Sequence, residues 1–131
     1  MTDINDPGVR ELLAAPNHAV ISTLNPDGSI LSTVVWVDVA DGLLAVNSAV
    51  GRRWPTNLER DPRVTLTVVD QQNPYRYAEV RGLAAGTDQG ALEHIHALAH
   101  KYTGRDFAGL APGDRRRRYV ITPQRVRYVS Q

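Results

Sequence analysis

The sequence predicts a mainly β domain with minor α, in which six to seven antiparallel strands close into a small barrel accompanied by one amphipathic helix and a short amino-terminal helix. Short runs rich in Val, Ile, Thr and aromatic residues recur along the chain, bounded by proline, glycine, asparagine and aspartate. No long helical pattern separates the first five of these runs, which argues against parallel strands joined by crossover helices. Closing the sheet removes the edges that a six-stranded meander would expose.

The elements follow in order. Residues Asp6 to Ala15 carry Val9, Leu12 and Leu13 at helical spacing, with Asp6 as cap and Pro7 in the first turn. His18 to Leu24 reads as a strand. Asn25-Pro26-Asp27-Gly28 is a turn, because proline fixes one dihedral and glycine supplies the positive one. The second arm, Ser29 to Val39, leads through Asp41-Gly42 into Leu43 to Ser48, so that three strands are expected to run as a meander. Gly51 to Arg60 suits a short helix with Pro55 near its first turn and a stop before Pro62. Val64 to Asp70 resumes strand. Tyr77 to Ala85 is a fifth strand, in which Gly82 marks a bulge or sharp bend. Asp88 to Tyr102 places Ala91, Leu92, Ile95, Leu98 and Ala99 on one helical face, with Asp88 as cap and Gly104 as terminator. Tyr119 to Thr122 and Arg125 to Val129 supply a last strand or two, interrupted by Pro123.

Composition narrows the chemistry. The 131 residues are expected to form one domain, with 42% apolar and 22% charged residues. A net charge of +1 gives no general pull toward nucleic acid or membrane, so anion binding must come from local clusters. The absence of cysteine excludes disulfides, thiolate catalysis and iron-sulfur clusters, and redox work would need a borrowed cofactor. Residues 1–9 lack the basic-then-apolar layout of a signal peptide and no apolar run reaches membrane-spanning length, so the expectation is a cytoplasmic protein with no membrane span.

The most informative stretch is Gly51-Arg52-Arg53-Trp54-Pro55-Thr56-Asn57-Leu58-Glu59-Arg60-Asp61-Pro62-Arg63-Val64. It sets paired arginines where a strand ends and a helix begins, a place where free amides and the helix dipole favour a phosphate or carboxylate. The alternative is a solvated turn in which Glu59 and Asp61 neutralise the arginines. Trp36 and Trp54 either flank a ring system or fill the core, and Tyr75 and Tyr77 either pack or face a ligand. His94, His96 and His100 invite a metal reading, since His96 and His100 are one helical turn apart, but that pair lacks a third ligand at sensible spacing, so no metal site is expected. Arg115 to Arg118 is the densest charge run. Without interleaved aromatics it reads as a solvated face, and no nucleic-acid partner is expected. No Ser-His-Asp order, paired carboxylate or glycine-rich phosphate loop stands out, so no catalytic residue is assigned.

Taken in order, the Pro-Asp-Gly turn, Val34-Val35-Trp36, the Asp-Gly turn, Asn47-Ser48, Gly51-Arg52-Arg53, Asn57-Leu58-Glu59-Arg60-Asp61-Pro62-Arg63-Val64 and Pro74-Tyr75-Arg76-Tyr77-Ala78-Glu79-Val80-Arg81-Gly82 resemble the pyridoxamine 5'-phosphate oxidase-like flavin and deazaflavin oxidoreductases. The resemblance spans about Asp6 to Val129 and is nearest the branch that uses the deazaflavin coenzyme F420. It implies a six- to seven-stranded antiparallel split β-barrel, a homodimer with cofactor sites at the subunit interface, and cofactor chemistry in place of a protein nucleophile.

By position it implies that Val34, Val35 and Trp36 lie against the tricyclic ring, Asn47 and Ser48 near the ribityl chain and phosphate, and Arg52, Arg53 and Asn57 on the phosphate. Tyr75, Arg76 and Tyr77 would approach from the other subunit. Members of the deazaflavin branch often carry lysine where this chain has Trp54, which leaves the positive charge to Arg52 and Arg53. The basic run at Arg115 to Arg118 is then a candidate holder of the oligoglutamate tail. The expected activity is hydride transfer from reduced F420 to a conjugated small-molecule substrate. FMN in the same fold, or a deazaflavin carrier without turnover, are the alternatives.

Overall fold

A computed structural model describes residues 2–131. Its elements run α1 (Pro7–Ala14), β1 (Ala19–Leu24), β2 (Ile30–Val35), β3 (Asp38–Ala40), β4 (Leu43–Ala49), α2 (Arg53–Arg60), β5 (Arg63–Val69), β6 (Tyr77–Thr87), α3 (Ala91–Thr103) and β7 (Arg116–Val129). The seven strands form one sheet in the order β2-β1-β5-β6-β7-β4-β3, and every neighbouring pair is antiparallel. The fold is the expected split barrel, mainly β with minor α.

The expected three-strand meander is corrected. Residues 29–39 are not one strand: β2 pairs with β1 at one edge of the sheet, and β3 pairs with β4 at the other. Trp36 and Val37 alone join these edges, a span of about 11 Å at full extension. The sheet must therefore curl until its two edges meet, and this closure protects them. β4 takes β7 as its long partner, with Asn47 opposite Arg118 and Ala49 opposite Arg116.

Alternation puts Ile21, Leu66, Val68, Val80, Val46 and Ile121 inside the curl, all fully buried. Helix α1 packs on β3, β5 and β6 and closes one end with Val9, Leu12 and Leu13, while α2 packs on β1 and β6 and closes the other with Trp54 and Leu58. Eight residues are too few for a stable isolated helix. Burial of Trp54 and Leu58, about 2 kcal/mol each, holds α2 in place.

Gly82 is the expected bulge. The β6–β7 register shifts between Arg81 and Gly82, and a Cβ at Gly82 would lie 2.3 Å from the Thr122 carbonyl oxygen. Pro123 sits opposite it, so the missing amide falls at the irregularity and β7 continues as one 14-residue strand. The expected interruption at Pro123 is thereby corrected. On α3 the cap is Gly90, not Asp88, whose carboxylate instead pairs with Arg115 and Arg117. Leu92, expected on the buried face, is 50% exposed, and His94 is buried on the side that meets β4.

Candidate functional site

The corner between β4 and α2 is built by backbone geometry. The Val50 amide donates to the Arg115 carbonyl at 2.8 Å, and Gly51 then turns the chain at φ +100, a conformation open to glycine at little cost. Arg52 occupies the N-cap position in extended conformation, and its side chain makes no capping bond. Its carbonyl accepts from both the amide and the hydroxyl of Thr56, at 3.1 and 2.7 Å. The Arg53 and Trp54 amides have no acceptor among the described residues, and Pro55 brings none to satisfy. Two donors at the positive end of a helix are thus left open.

Neither the Arg52 nor the Arg53 guanidinium makes an ion pair or hydrogen bond among the described residues. The carboxylates that would neutralise them are occupied elsewhere. Glu59 accepts from Arg117 and from the Tyr119 hydroxyl, both at 2.7 Å. Asp61 pairs with Arg63 at 2.8 Å, and the Arg63 guanidinium holds the Asp61 carboxyl down to about 2.

The two arginines serve different sides of the corner. Arg53 lines a cleft of about 830 Å³ between α2 and the β1–β2 turn, with Asn25, Asp27, Ser29, Thr56 and Arg60. Arg52 lies on the side of β7, near Arg116. Burial, and then the like charge of Arg52, lowers the pKa of the Arg116 guanidinium. Arg116 has no carboxylate partner within ion-pair distance among the described residues; it lies over the Phe107 ring at 5.0 Å and donates its Nε–H to Asn47 Oδ1 at 3.0 Å. Two like charges, one half-buried, are held together with no carboxylate in ion-pair contact, and the pull of Asp114 is the smallest of the influences on Arg116, an arrangement that an anion relieves.

Asn47 is the hub of this side. Its Nδ2 donates to the Ala91 carbonyl at 2.8 Å and meets His94 Nδ1 at 3.1 Å. His94 Nε2 lies 3.1 Å from Asp38 Oδ2. Ser48, next along β4, faces the opposite way and is buried against the core.

The remaining expected residues are placed as follows. Val34 is 65% exposed on the outer face of β2, and Val35 is buried on the inner one. Trp36 is half-buried and stacks on Tyr102, ring centroids 5.4 Å apart and planes within 11°. Asn57 is 2% exposed; its Nδ2 donates to Thr23 Oγ1 and Asn25 Oδ1, so it braces α2 against β1 at the edge of the cleft. Trp54 is in the core against Tyr119. Tyr75 is 68% exposed, Tyr77 lies beneath the Arg127 guanidinium, and Arg76 clamps Asp70, Glu11 and the Tyr128 hydroxyl. Tyr77 is opposite Val129 and Ala49 opposite Arg116, at the two ends of β7. The structure brings Asn47 toward the corner with Arg52, and it keeps Tyr75 to Tyr77 at the far end of the same chain.

Arg116 and His94 were assigned other roles from the sequence, one in a basic band and the other among possible metal ligands. Alternation along a strand was the missing signal: Arg116 and Arg118 share the face of Asn47, whereas Arg115 and Arg117 turn to Asp88 and Glu59. The run is therefore not a continuous basic strip. His96 accepts from the Phe107 amide and His100 pairs with Asp106; the described residues contain no cluster of three metal-ligating side chains.

The family model for pyridoxamine 5'-phosphate oxidase matches residues 6–130. Among solved structures, an F420 reductase is 27% identical with a TM-score of 0.82, the match covering 90% of this chain and 94% of that one. A conserved hypothetical protein of Mycobacterium tuberculosis is 22% identical with a TM-score of 0.77, over 95% of this chain and 84% of the other. General Stress Protein 26 of Bacillus anthracis is 20% identical with a TM-score of 0.71, over 93% and 91%. The last two show a shared fold. No curated protein sequence matches the chain.

Proposed function

The chain belongs to the pyridoxamine 5'-phosphate oxidase family, and from that membership we propose that it is an oxidoreductase which binds reduced coenzyme F420 and serves hydride transfer to a conjugated small-molecule acceptor. The observation that carries the reading is the group of arginines at the uncapped start of α2, left without carboxylates while Glu59 and Asp61 are engaged elsewhere. Guanidiniums and open amides fit a phosphoryl group, for which a planar fork of donors is the better match than a point charge. The likeness to an F420 reductase favours the deazaflavin over FMN.

Bound deazaflavin supplies the hydride, and the protein's part is positioning and exclusion of water. Arg52, Arg53 and Arg116 hold the phosphoryl end, with Asn57 bracing the helix beneath it. Asn47 lines the path from that end with Ser48 buried behind it as support, and Val34 and Trp36 form the wall for the ring while Val35 anchors β2 in the core. No side chain of the corner is a required acid or base.

The working unit is a cytoplasmic homodimer. Across the outer face, Val34 aligns with Val20 and Thr67, and Ser32 with Ser22 and Thr65, giving a smooth surface of short uncharged side chains on three adjacent strands. A second copy against this face would bring its Tyr75, Arg76 and Tyr77 to a site that one chain cannot complete.

Titration of the purified protein with F420 and with FMN, followed by absorbance, tests the reading. Saturable F420 binding, and oxidation of reduced F420 with quinone or enone acceptors, are expected. Binding of FMN alone would move the chain to the flavin users, and F420 binding without turnover across the acceptor panel would make it a carrier.

A further inference from the structure

The hydrogen bonds around Asn47 leave its amide one orientation. The Ala91 carbonyl requires a donor and the Arg116 Nε–H requires an acceptor, so Nδ2 faces the first at 2.8 Å and Oδ1 the second at 3.0 Å. The second Nδ2 hydrogen then points at His94 Nδ1, 3.1 Å away, which must be bare. The ring's proton is accordingly on Nε2, where the Asp38 carboxylate accepts it at 3.1 Å. Four residues on four elements, β3, α3, β4 and β7, thus form one directional chain that ends on the guanidinium beside Arg52.

We propose that Asp38, His94 and Asn47 are positioning residues that aim Arg116 at the phosphoryl group, and that a second proton on the His94 ring releases Arg116. The inference rests on the phosphoryl site proposed above. A proton on Nδ1 would oppose the Nδ2 hydrogen of Asn47. To accept it, the amide must turn over, which sets Oδ1 against the Ala91 carbonyl and Nδ2 against the Arg116 donor. The groups that face His94 are Asp38 from β3, Asn47 from β4 and, behind Asn47, Arg116 from β7; Lys101 on α3 acts on the same Asp38 carboxylate. The balance between the neutral ring with Arg116 held and the charged ring with Arg116 free is a two-state element.

The test compares F420 with its phosphate-free deazaflavin core, each binding followed by fluorescence from about pH 5 to about pH 8, the range in which histidine titrates. In the parent protein the preference for F420 over the core should fall by about tenfold as the pH is lowered, the loss expected for one charge-assisted hydrogen bond. His94→Asn offers Asn47 an acceptor oxygen without a titrating ring, so it should keep the neutral-pH preference and flatten the profile. His94→Phe should lose about tenfold of the preference at neutral pH with the affinity for the core unchanged. A parent preference that ignores pH, or the same slope in His94→Asn, overturns the relay. If neither ligand binds the parent, the cofactor reading fails and the relay is judged by NMR. The Arg116 Nε–H resonance should hold its hydrogen-bonded chemical shift at neutral pH, move to the free-guanidinium position on acidification, and stay in place in His94→Asn; a chemical shift indifferent to pH overturns it.

Discussion

Tyr119 donates its phenolic hydrogen to Glu59 at 2.7 Å, and that bond keeps the nearest carboxylate away from the corner. Arg117 takes a second share of the same oxygen. Burial, then the bond to Glu59, holds the Tyr119 hydroxyl well above its ordinary range, while the Tyr119 bond first and Arg117 after it lower the Glu59 carboxyl.

Tyr119→Phe should therefore cost about 1 kcal/mol, since one hydrogen bond is lost and Glu59 remains partly open to water. The sign with pH follows from the lowered Glu59 pKa. Its contribution is present above the unfolded carboxyl value and is lost as the pH falls through the folded one. Urea midpoints of parent and Glu59→Gln should converge on acidification. Parallel curves would mean that the charge on Glu59 contributes nothing to the fold.

Arg52→Ala and Arg53→Ala, combined, should abolish recognition of the phosphoryl group and leave the thermal midpoint nearly unchanged, because both side chains are exposed and unpaired. The single variants should differ. Arg52 shares its side with Arg116, so its loss should weaken F420 binding by about tenfold or more. Arg53, which faces the cleft of the β1–β2 turn, should matter less. Calorimetric titration of each variant with F420 decides this, and native affinity in the double variant would place the site elsewhere.

The barrel was legible where local chemistry dictates local structure. The Pro26-containing turn, the bulge at Gly82, the arrest of α2 before Pro62 and the Gly104 terminator all stand where turn and cap residues put them. What the residues did not reveal was long-range pairing. Nothing in residues 29–39 announces that β2 and β3 belong to opposite edges, because Val, Thr and Trp favour strand equally on either side of the break at Trp36 and Val37. The site shows the same division. The arginines of the corner were visible as a motif, but their freedom from counter-charge depends on where Glu59 and Asp61 find partners, one of them 58 positions away in Arg117. The alternation that separates Arg116 from Arg117 becomes readable only once β7 is known to begin at Arg116.

Gly82→Ala should be among the most damaging single-methyl changes in the chain. The new Cβ would stand 2.3 Å from the Thr122 carbonyl oxygen and 3.1 Å from Ile121 Cγ2, in the middle of the longest strand pair. Relief requires β6 and β7 to separate at the bulge, at a cost of about 2 kcal/mol or more. Chemical denaturation should show a lower midpoint with an unchanged slope. A wild-type midpoint would mean that the register re-forms without the bulge.

Lys101 is the chain's one lysine, and it ties three segments together: Nζ donates to the carbonyls of Leu13 and Val37, each at 2.6 Å, and lies 5.1 Å from the Tyr102 ring centroid. Burial lowers its pKa to about 8, against the opposing pull of Asp38. Between about pH 8 and about pH 10 the unfolded chain therefore holds a proton that the folded chain has released, and stability should rise with pH across that window. Partial exposure to water makes the rise smaller than the full shift implies. Tyr102, raised by burial, works in the opposite direction once unfolded tyrosine begins to ionise near the upper limit. The measurement is the urea midpoint of parent minus that of Lys101→Met across this window. A positive slope in the difference is expected, together with a lower midpoint for the variant at neutral pH, where Leu13 and Val37 lose their donor. A flat difference would show that the lysine titrates as if in water, and an unchanged midpoint at neutral pH would show that the join between α1, the Trp36–Val37 link and α3 is held by Tyr102, whose hydroxyl donates to the Asn17 carbonyl and accepts from the Val37 amide.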